Sequence, residues 1–143
     1  MVRLLAIFLS MTLLLTTIAH GQNVDEVAVR RVIETIERAV SNEDLRLLLA
    51  QYSDDAMIDS KAAGGKVNKQ KFAEITADQF KAHAIILIQY RDIAVTVEDP
   101  THATVQGTLY VTVKPDRRFI WRNEWRLEKR NGSWVVIETN FKS

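Results

Sequence analysis

Apolar residues along this chain follow three patterns in turn: an unbroken run, then helical spacing, then alternation. The run extends from Leu4 to Ile18, interrupted only by Ser and Thr. Helical spacing follows. Val24, Ala28, Val32, Ile36 and Ala39 recur every three or four residues, while Arg30, Arg31, Glu34, Glu37 and Arg38 take the other side. Asn23 stands where an N-cap would, with Glu26 three residues on to return the bond. A second start at Ser41-Asn42-Glu43-Asp44 predicts a short helix with the stripe Leu45, Leu48, Leu49 and Tyr52, ended by Asp54-Asp55. Ala56–Ser60 reads as a short strand, and Ala62–Lys66, with Gly64-Gly65, as a loop. A third helix begins near Asn68 and places Phe72, Ile75, Gln79 and His83 on one arc.

From Ile93 the period is two. Ile93, Val95 and Val97 alternate with Ala94 and Thr96, and Asp99-Pro100-Thr101-His102 turns the chain. Ala103, Val105, Gly107, Leu109, Val111 and Val113 alternate with polar residues up to a turn at Lys114–Arg117. Phe119, Trp121, Asn123, Trp125 and Leu127 then alternate with Ile120, Arg122, Glu124, Arg126 and Glu128. Asn131-Gly132 is a two-residue hairpin signal before the last strand, Trp134 to Phe141. Three helices precede four long strands joined as a meander. Strands of that length coil, and a coiled sheet with one apolar face needs its concave side filled. The expected fold is α+β: three N-terminal helices packed in the concave face of a strongly curved, mainly antiparallel sheet, a cone-shaped α+β barrel.

The opening run changes the address. Arg3, the Leu4–Ile18 stretch and Ala19-His20-Gly21 have the layout of a signal peptide cleaved before Gln22, and the stretch is shorter than the ~20 residues that span a bilayer. The chain thus divides into a signal peptide, 1–21, and a single domain, 22–143, that is periplasmic or secreted and keeps no membrane anchor after cleavage. The sequence has no cysteine, so disulfides, thiolate metal sites and a lipoprotein anchor are excluded. Arg3 accounts for the whole net charge of +1. A neutral mature domain has no overall field to draw it to nucleic acid, and none is expected as a partner.

Two segments carry a resemblance. Tyr-Ser-Asp-Asp-Ala-Met-Ile-Asp-Ser at 52–60, between helices, and the late W-x-L-x-K-x-N-G-x-W from Trp125 to Trp134 resemble the nuclear transport factor 2-like superfamily, in its SnoaL-like and ketosteroid isomerase-like forms. Its relatives include polyketide cyclases, scytalone dehydratase and limonene epoxide hydrolase. The resemblance covers the whole mature chain and implies the cone-shaped fold. It also implies where isomerase chemistry would sit. The general base falls on Ser60, the tyrosine donor on Ile36 and the second donor on Asn123. Two of three roles are lost, so steroid-isomerase chemistry is not expected. Asp59, next to the base position, points to the opposite face unless a bulge intervenes.

Cavity-lining candidates follow from parity and helical arc: Tyr52, His83, Trp121 and Asn123, with Glu138 and Asn140 if they share the inward face of Trp134. His83 is the candidate acid–base group; Asp54 and Asp55 are read as helix-ending residues, and His102 as solvated. Trp125 and Trp134 are core residues. Three histidines, at 20, 83 and 102, give no ligand spacing, and neither metal nor cofactor is expected. The expected function is a non-catalytic module that binds a small apolar ligand or pairs as a homodimer. Its convex face would then carry the contact, through Thr104, Gln106, Thr108, Tyr110 and Arg122. The alternative is a SnoaL-like enzyme (cyclase, dehydratase or isomerase) using His83, Asn123, Glu138 and Tyr52.

Overall fold

A computed structural model describes residues 23–142; the expected signal segment and its expected cleavage site lie outside them. Helix α1 covers residues 23–41, and α2 (Leu45–Ala50) follows after one turn. Strands β1 (Tyr52–Ser60) and β2 (Gly65–Asn68) form a hairpin, and α3 (Lys69–Lys81) leads into the meander β3 (Ile85–Asp99), β4 (His102–Val113), β5 (Arg117–Arg130) and β6 (Ser133–Lys142). The six strands lie in one sheet in the order β2-β1-β6-β5-β4-β3, with β1 and β6 parallel and the other neighbours antiparallel. The α+β architecture is as expected, but the sheet is curled without closing into a barrel. β2 and β3 are its free edges.

Local chemistry sets the helix ends. Asp44 caps α2 by accepting from the Leu47 N–H at 2.9 Å, and Asn68 caps α3 by accepting from Lys71 at 2.8 Å. Helix α2 stops short of Tyr52, because the Gln51 carbonyl accepts from the Val136 N–H at 2.8 Å and sheet pairing takes over. Asp54 and Asp55 are therefore exposed strand residues rather than helix terminators: Asp54 pairs with Lys69 at 3.1 Å and Asp55 with Arg130 at 2.7 Å. The expected loop at 62–66 gives way to β2 from Gly65, since Ser60 pairs with Gly65 and Ile58 with Val67.

Helix α1 lies across the concave face. Asp25 accepts from Trp134 Nε1 and Lys129 Nζ, Arg30 donates to the Ile93 carbonyl, and Glu37 accepts from the Tyr90 N–H at 2.8 Å. Between helix and sheet sit Val29, Ile33 and Ile36 on one side and Val105, Trp125, Leu127 and Val136 on the other, all essentially inaccessible. Burying a side chain of that size contributes about 1.5–3 kcal/mol, so this layer holds the helix in place.

Register decides which side chains look inward. β4 and β5 pair without a break from His102↔Glu128 to Val113↔Arg117. β3 carries bulges against β4, one of them at Asp92-Ile93, two residues facing Gly107, with Asp92 at φ 55°. Gly107 makes room for that bulge, because a Cβ there would stand 2.5 Å from Ile93 Cδ1. β6 bulges once against β5: Arg126 pairs with Glu138 and Leu127 with Val136, leaving Ile137 as the extra residue.

Candidate functional site

The filled layer stops partway along the sheet, and beyond Trp125 lies a hollow of about 200 Å³. Ile36 and Val40 of α1, Leu48 of α2 and Phe72, Ile75 and Thr76 of α3 form its roof; the concave face from Trp125 to Phe119 forms its floor. A comparable dry volume of ~150 Å³ accommodates a benzene ring.

Asn123 lies on that floor. The unbroken β4–β5 ladder keeps it in phase with Trp121 and Trp125, so its side chain faces inward and is 6 % exposed. Its Oδ1 is buried with no hydrogen-bond partner among the described residues. A carbonyl left so costs about 1–3 kcal/mol; the oxygen itself is sealed from solvent, so a donor in the hollow meets it only when the amide turns toward that space.

Aromatic rings line the open end. Phe119 stacks on Trp121 at 5.0 Å with 15° between planes, and Phe141 meets Trp121 at 5.5 Å and 61°. Lys61, in the exposed turn after β1, holds its ammonium 4.7 Å from the Phe141 ring centre and 5.5 Å from that of Trp121. Deeper in, Tyr52 packs on Phe72 and Tyr90 meets Trp125 edge-on at 4.9 Å. Burial pushes both phenols well above the ordinary tyrosine range, with Tyr52 and Glu37 adding to the effect at Tyr90. Both remain neutral hydroxyls at any physiological pH.

Of the residues proposed from sequence, Tyr52, Trp121 and Asn123 line the hollow. The other three do not. His83 lies beyond the end of α3, in the left-handed conformation at φ 47°, which turns its ring out to solvent; its Nδ1 meets the Glu43 carboxylate at 2.8 Å. Helical arc stopped being the right geometry at Ala82, where the helix is capped. Glu138 and Asn140 face the opposite side because the Ile137 bulge reverses the parity of β6. Glu138 pairs with Lys66 at 2.8 Å and accepts from Asn140 at 2.8 Å, contacts that lower its pKa, Lys66 foremost.

Thr139 and Phe141 take the inward positions instead. The run Val135-Val136-Ile137 was the available signal: consecutive apolar residues let the phase shift without burying a carboxylate. Asp59 also lies at the edge of the hollow, beside Ser60, although β1 runs there without a bulge. Its carboxylate is engaged there, since Oδ2 accepts from the Phe141 N–H at 2.9 Å while its own N–H donates to Thr139 Oγ1 at 2.9 Å. These two bonds tie β1 to β6 where the backbone ladder has ended at Met57↔Glu138. Among the described residues no cluster of His, Cys, Asp and Glu is arranged to hold a metal, and no helix is long and apolar enough to cross a membrane.

No family model and no curated protein matches the chain. Solved structures do. An NTF2-like protein of unknown function from Pseudomonas putida KT2440 superposes with a TM-score of 0.71 at 17 % identity, over 85 % of this chain and 87 % of that one. A ketosteroid isomerase-like protein from Erwinia carotovora atroseptica SCRI1043 gives 0.68 at 19 % identity, over 83 % and 97 %. A type 2 hexachlorocyclohexane dehydrochlorinase gives 0.71 at 11 %, over 87 % and 88 %. Helices laid in a curled six-stranded sheet, with a hollow at one end, make this a nuclear transport factor 2-like fold. At these identities the likeness fixes the architecture and leaves the chemistry to the residues.

Proposed function

We propose that this chain is an exported, non-catalytic binding module whose hollow takes a small, flat, largely apolar molecule. The carrying observation is Asn123 Oδ1: a buried acceptor without a partner, on the floor of an aromatic-walled hollow. An apolar ring carrying one N–H or O–H donor satisfies it once the amide turns toward the hollow, with Trp121 and Phe141 as the neighbouring aromatic wall. The enzymatic alternative needs an acid–base pair in the hollow, and its candidates His83 and Glu138 stand outside, each on a partner of its own.

Calorimetric titration with indole, and with indene as its counterpart lacking the N–H, tests this reading. Indole should bind more tightly than indene, and Asn123→Leu should abolish the difference. Equal binding of the two by the parent protein, or failure of both to bind, would remove Asn123 as the anchor.

The module pairs, in this reading, through its convex face. Thr104, Gln106, Thr108, Tyr110 and Arg122 alternate there with buried neighbours, and Ile120, cross-strand from Tyr110, is 64 % exposed. An apolar group in the middle of a broad polar sheet face favours a covering partner. Light scattering of the mature chain should give twice the monomer mass, and Ile120→Lys should return it to one.

A further inference from the structure

Lys61 differs from the next two lysines in the chain. Lys66 pairs with Glu138 at 2.8 Å and Lys69 with Asp54 at 3.1 Å, whereas the Lys61 ammonium rests on the faces of Phe141 and Trp121, at the mouth of the hollow. A second cation stands on the same wall, the Arg117 guanidinium 5.6 Å from the Phe119 ring. Among the described residues lining the hollow the sole carboxylate is Asp59, and it already accepts from the Phe141 N–H. The open end thus presents positive charge laid on aromatic rings, a surface that grips both a plane and an anion. We infer that the ligand is an aromatic anion: a ring system held in the hollow, with a carboxylate or similar group at the mouth paired with Lys61. This rests on the hollow being a binding site and names the class of molecule it takes.

The spacing suits such a molecule. Asn123 pairs with Phe141 across the β5–β6 ladder, and Trp121 lies two residues nearer the mouth, an advance of about 7 Å. A bicyclic ring with its donor toward Asn123 therefore leaves a one- or two-carbon acid tail at Lys61. The turn carrying Lys61 is closed by its own bonds, Ala63 N–H to Ser60 Oγ at 3.2 Å and Gly64 N–H to the Lys61 carbonyl at 3.3 Å. It fixes the backbone beneath Lys61 and leaves the residue open to solvent.

The test compares indole-3-acetate with indole-3-acetamide, its neutral isostere, by calorimetry on the mature chain at low salt. The acetate should bind about fivefold more tightly, the range of a solvent-exposed ion pair, and the advantage should fade as salt is raised. Lys61→Met should erase that advantage and Lys61→Arg should keep it, each read as the ratio of acetate to acetamide affinity within one variant, which cancels any change in how the ring itself is held. Binding of indole with no preference for the acetate, or a preference that survives Lys61→Met, overturns the anion while leaving the hollow as a binding site. Failure of indole, acetate and acetamide alike overturns both.

Discussion

The two ends of the concave face are built from similar residues and do different work. At the filled end, Trp125 and Leu127 are each 1 % exposed, locked under α1 by Val29 and Ile33. Trp134 and Lys129 fasten the start of that helix through Asp25, at 3.1 and 3.0 Å. At the open end Trp121 is only half-buried, packed on other rings and a lysine rather than under a helix. Both ends hold tryptophans on one strand, in one phase, four residues apart. The difference is what covers them: an apolar side chain under a helix contributes to folding, and one left beside a hollow contributes to whatever enters it.

The sharpest way to break this comparison is to truncate each tryptophan in turn. Trp125→Ala should cost about 3–5 kcal/mol in urea unfolding, since it removes a large side chain only 1 % exposed and packed in the core beneath α1. Trp121→Ala should cost about 1 kcal/mol and remove indole binding instead. Equal losses of stability would mean that the open end is simply more core. Between the two ends, Gly107→Ala tests how tightly β3 is held against the sheet. The new methyl meets Ile93 Cδ1 at 2.5 Å, the Arg91 carbonyl at 3.3 Å and the Trp125 ring at 3.4 Å. Ile93 can swing, but the carbonyl and the ring leave little room beside it, so a loss of about 1–3 kcal/mol is expected in the same assay. A neutral result would show that the bulge at Asp92 shifts freely.

Asn123→Leu should do the reverse. It replaces an unpaired buried carbonyl with a methyl group of similar bulk, so stability should hold or rise by about 1 kcal/mol while indole loses its anchor. A destabilised variant would mean that Asn123 is already satisfied within the fold.

The same two strands separate what could be read in the sequence from what could not. On β5 strict alternation was correct because β4 pairs with it without a break, so the inward place of Asn123 followed from Trp121, Trp125 and Leu127. On β6 alternation counted from Trp134 put Glu138 and Asn140 inside, and one extra residue at Ile137 reversed them. A bulge is a property of the pair of strands. It depends on how β6 fits β5 and β1 together, and neither hydrophobic period nor turn signal encodes that fit locally. His83 failed for a related reason: its arc was correct for a helix that stops two residues earlier, at Lys81. The aromatic mouth was half legible. Phe119 and Trp121 lie in the β5 pattern, whereas Lys61 reaches them only through the β1–β2 hairpin, whose first strand the pattern shows at 56–60 and whose return strand begins inside the expected loop at 62–66.

The smallest expected effect lies outside the filled end, where carboxylates hold hairpins together in solvent. Asp55, held mainly by the Arg130 guanidinium, has its pKa lowered from 3.8 to about 2. Asp99, held chiefly by the Thr101 N–H and then by His102, is lowered to about 2 as well. A carboxylate with a folded pKa below its unfolded one stabilises the fold above the unfolded value, and that contribution is lost as pH falls through the folded one. Both groups are solvent-exposed and screened, so each contribution is small. The prediction concerns the difference between two proteins. Asp55→Asn should have a lower urea midpoint than the parent at pH 5, and the gap should close as pH falls from 4 to 2. Among the described residues the mouth carries no such carboxylate lock on Lys61, so Lys61→Met should leave the acid branch of the stability curve unchanged. A gap between Asp55→Asn and the parent that persists at pH 2 would show that the Asp55–Arg130 pair does not contribute through its charge. An acid branch altered by Lys61→Met would place a carboxylate partner at the mouth, and erase the contrast between the two ends at its most exposed point.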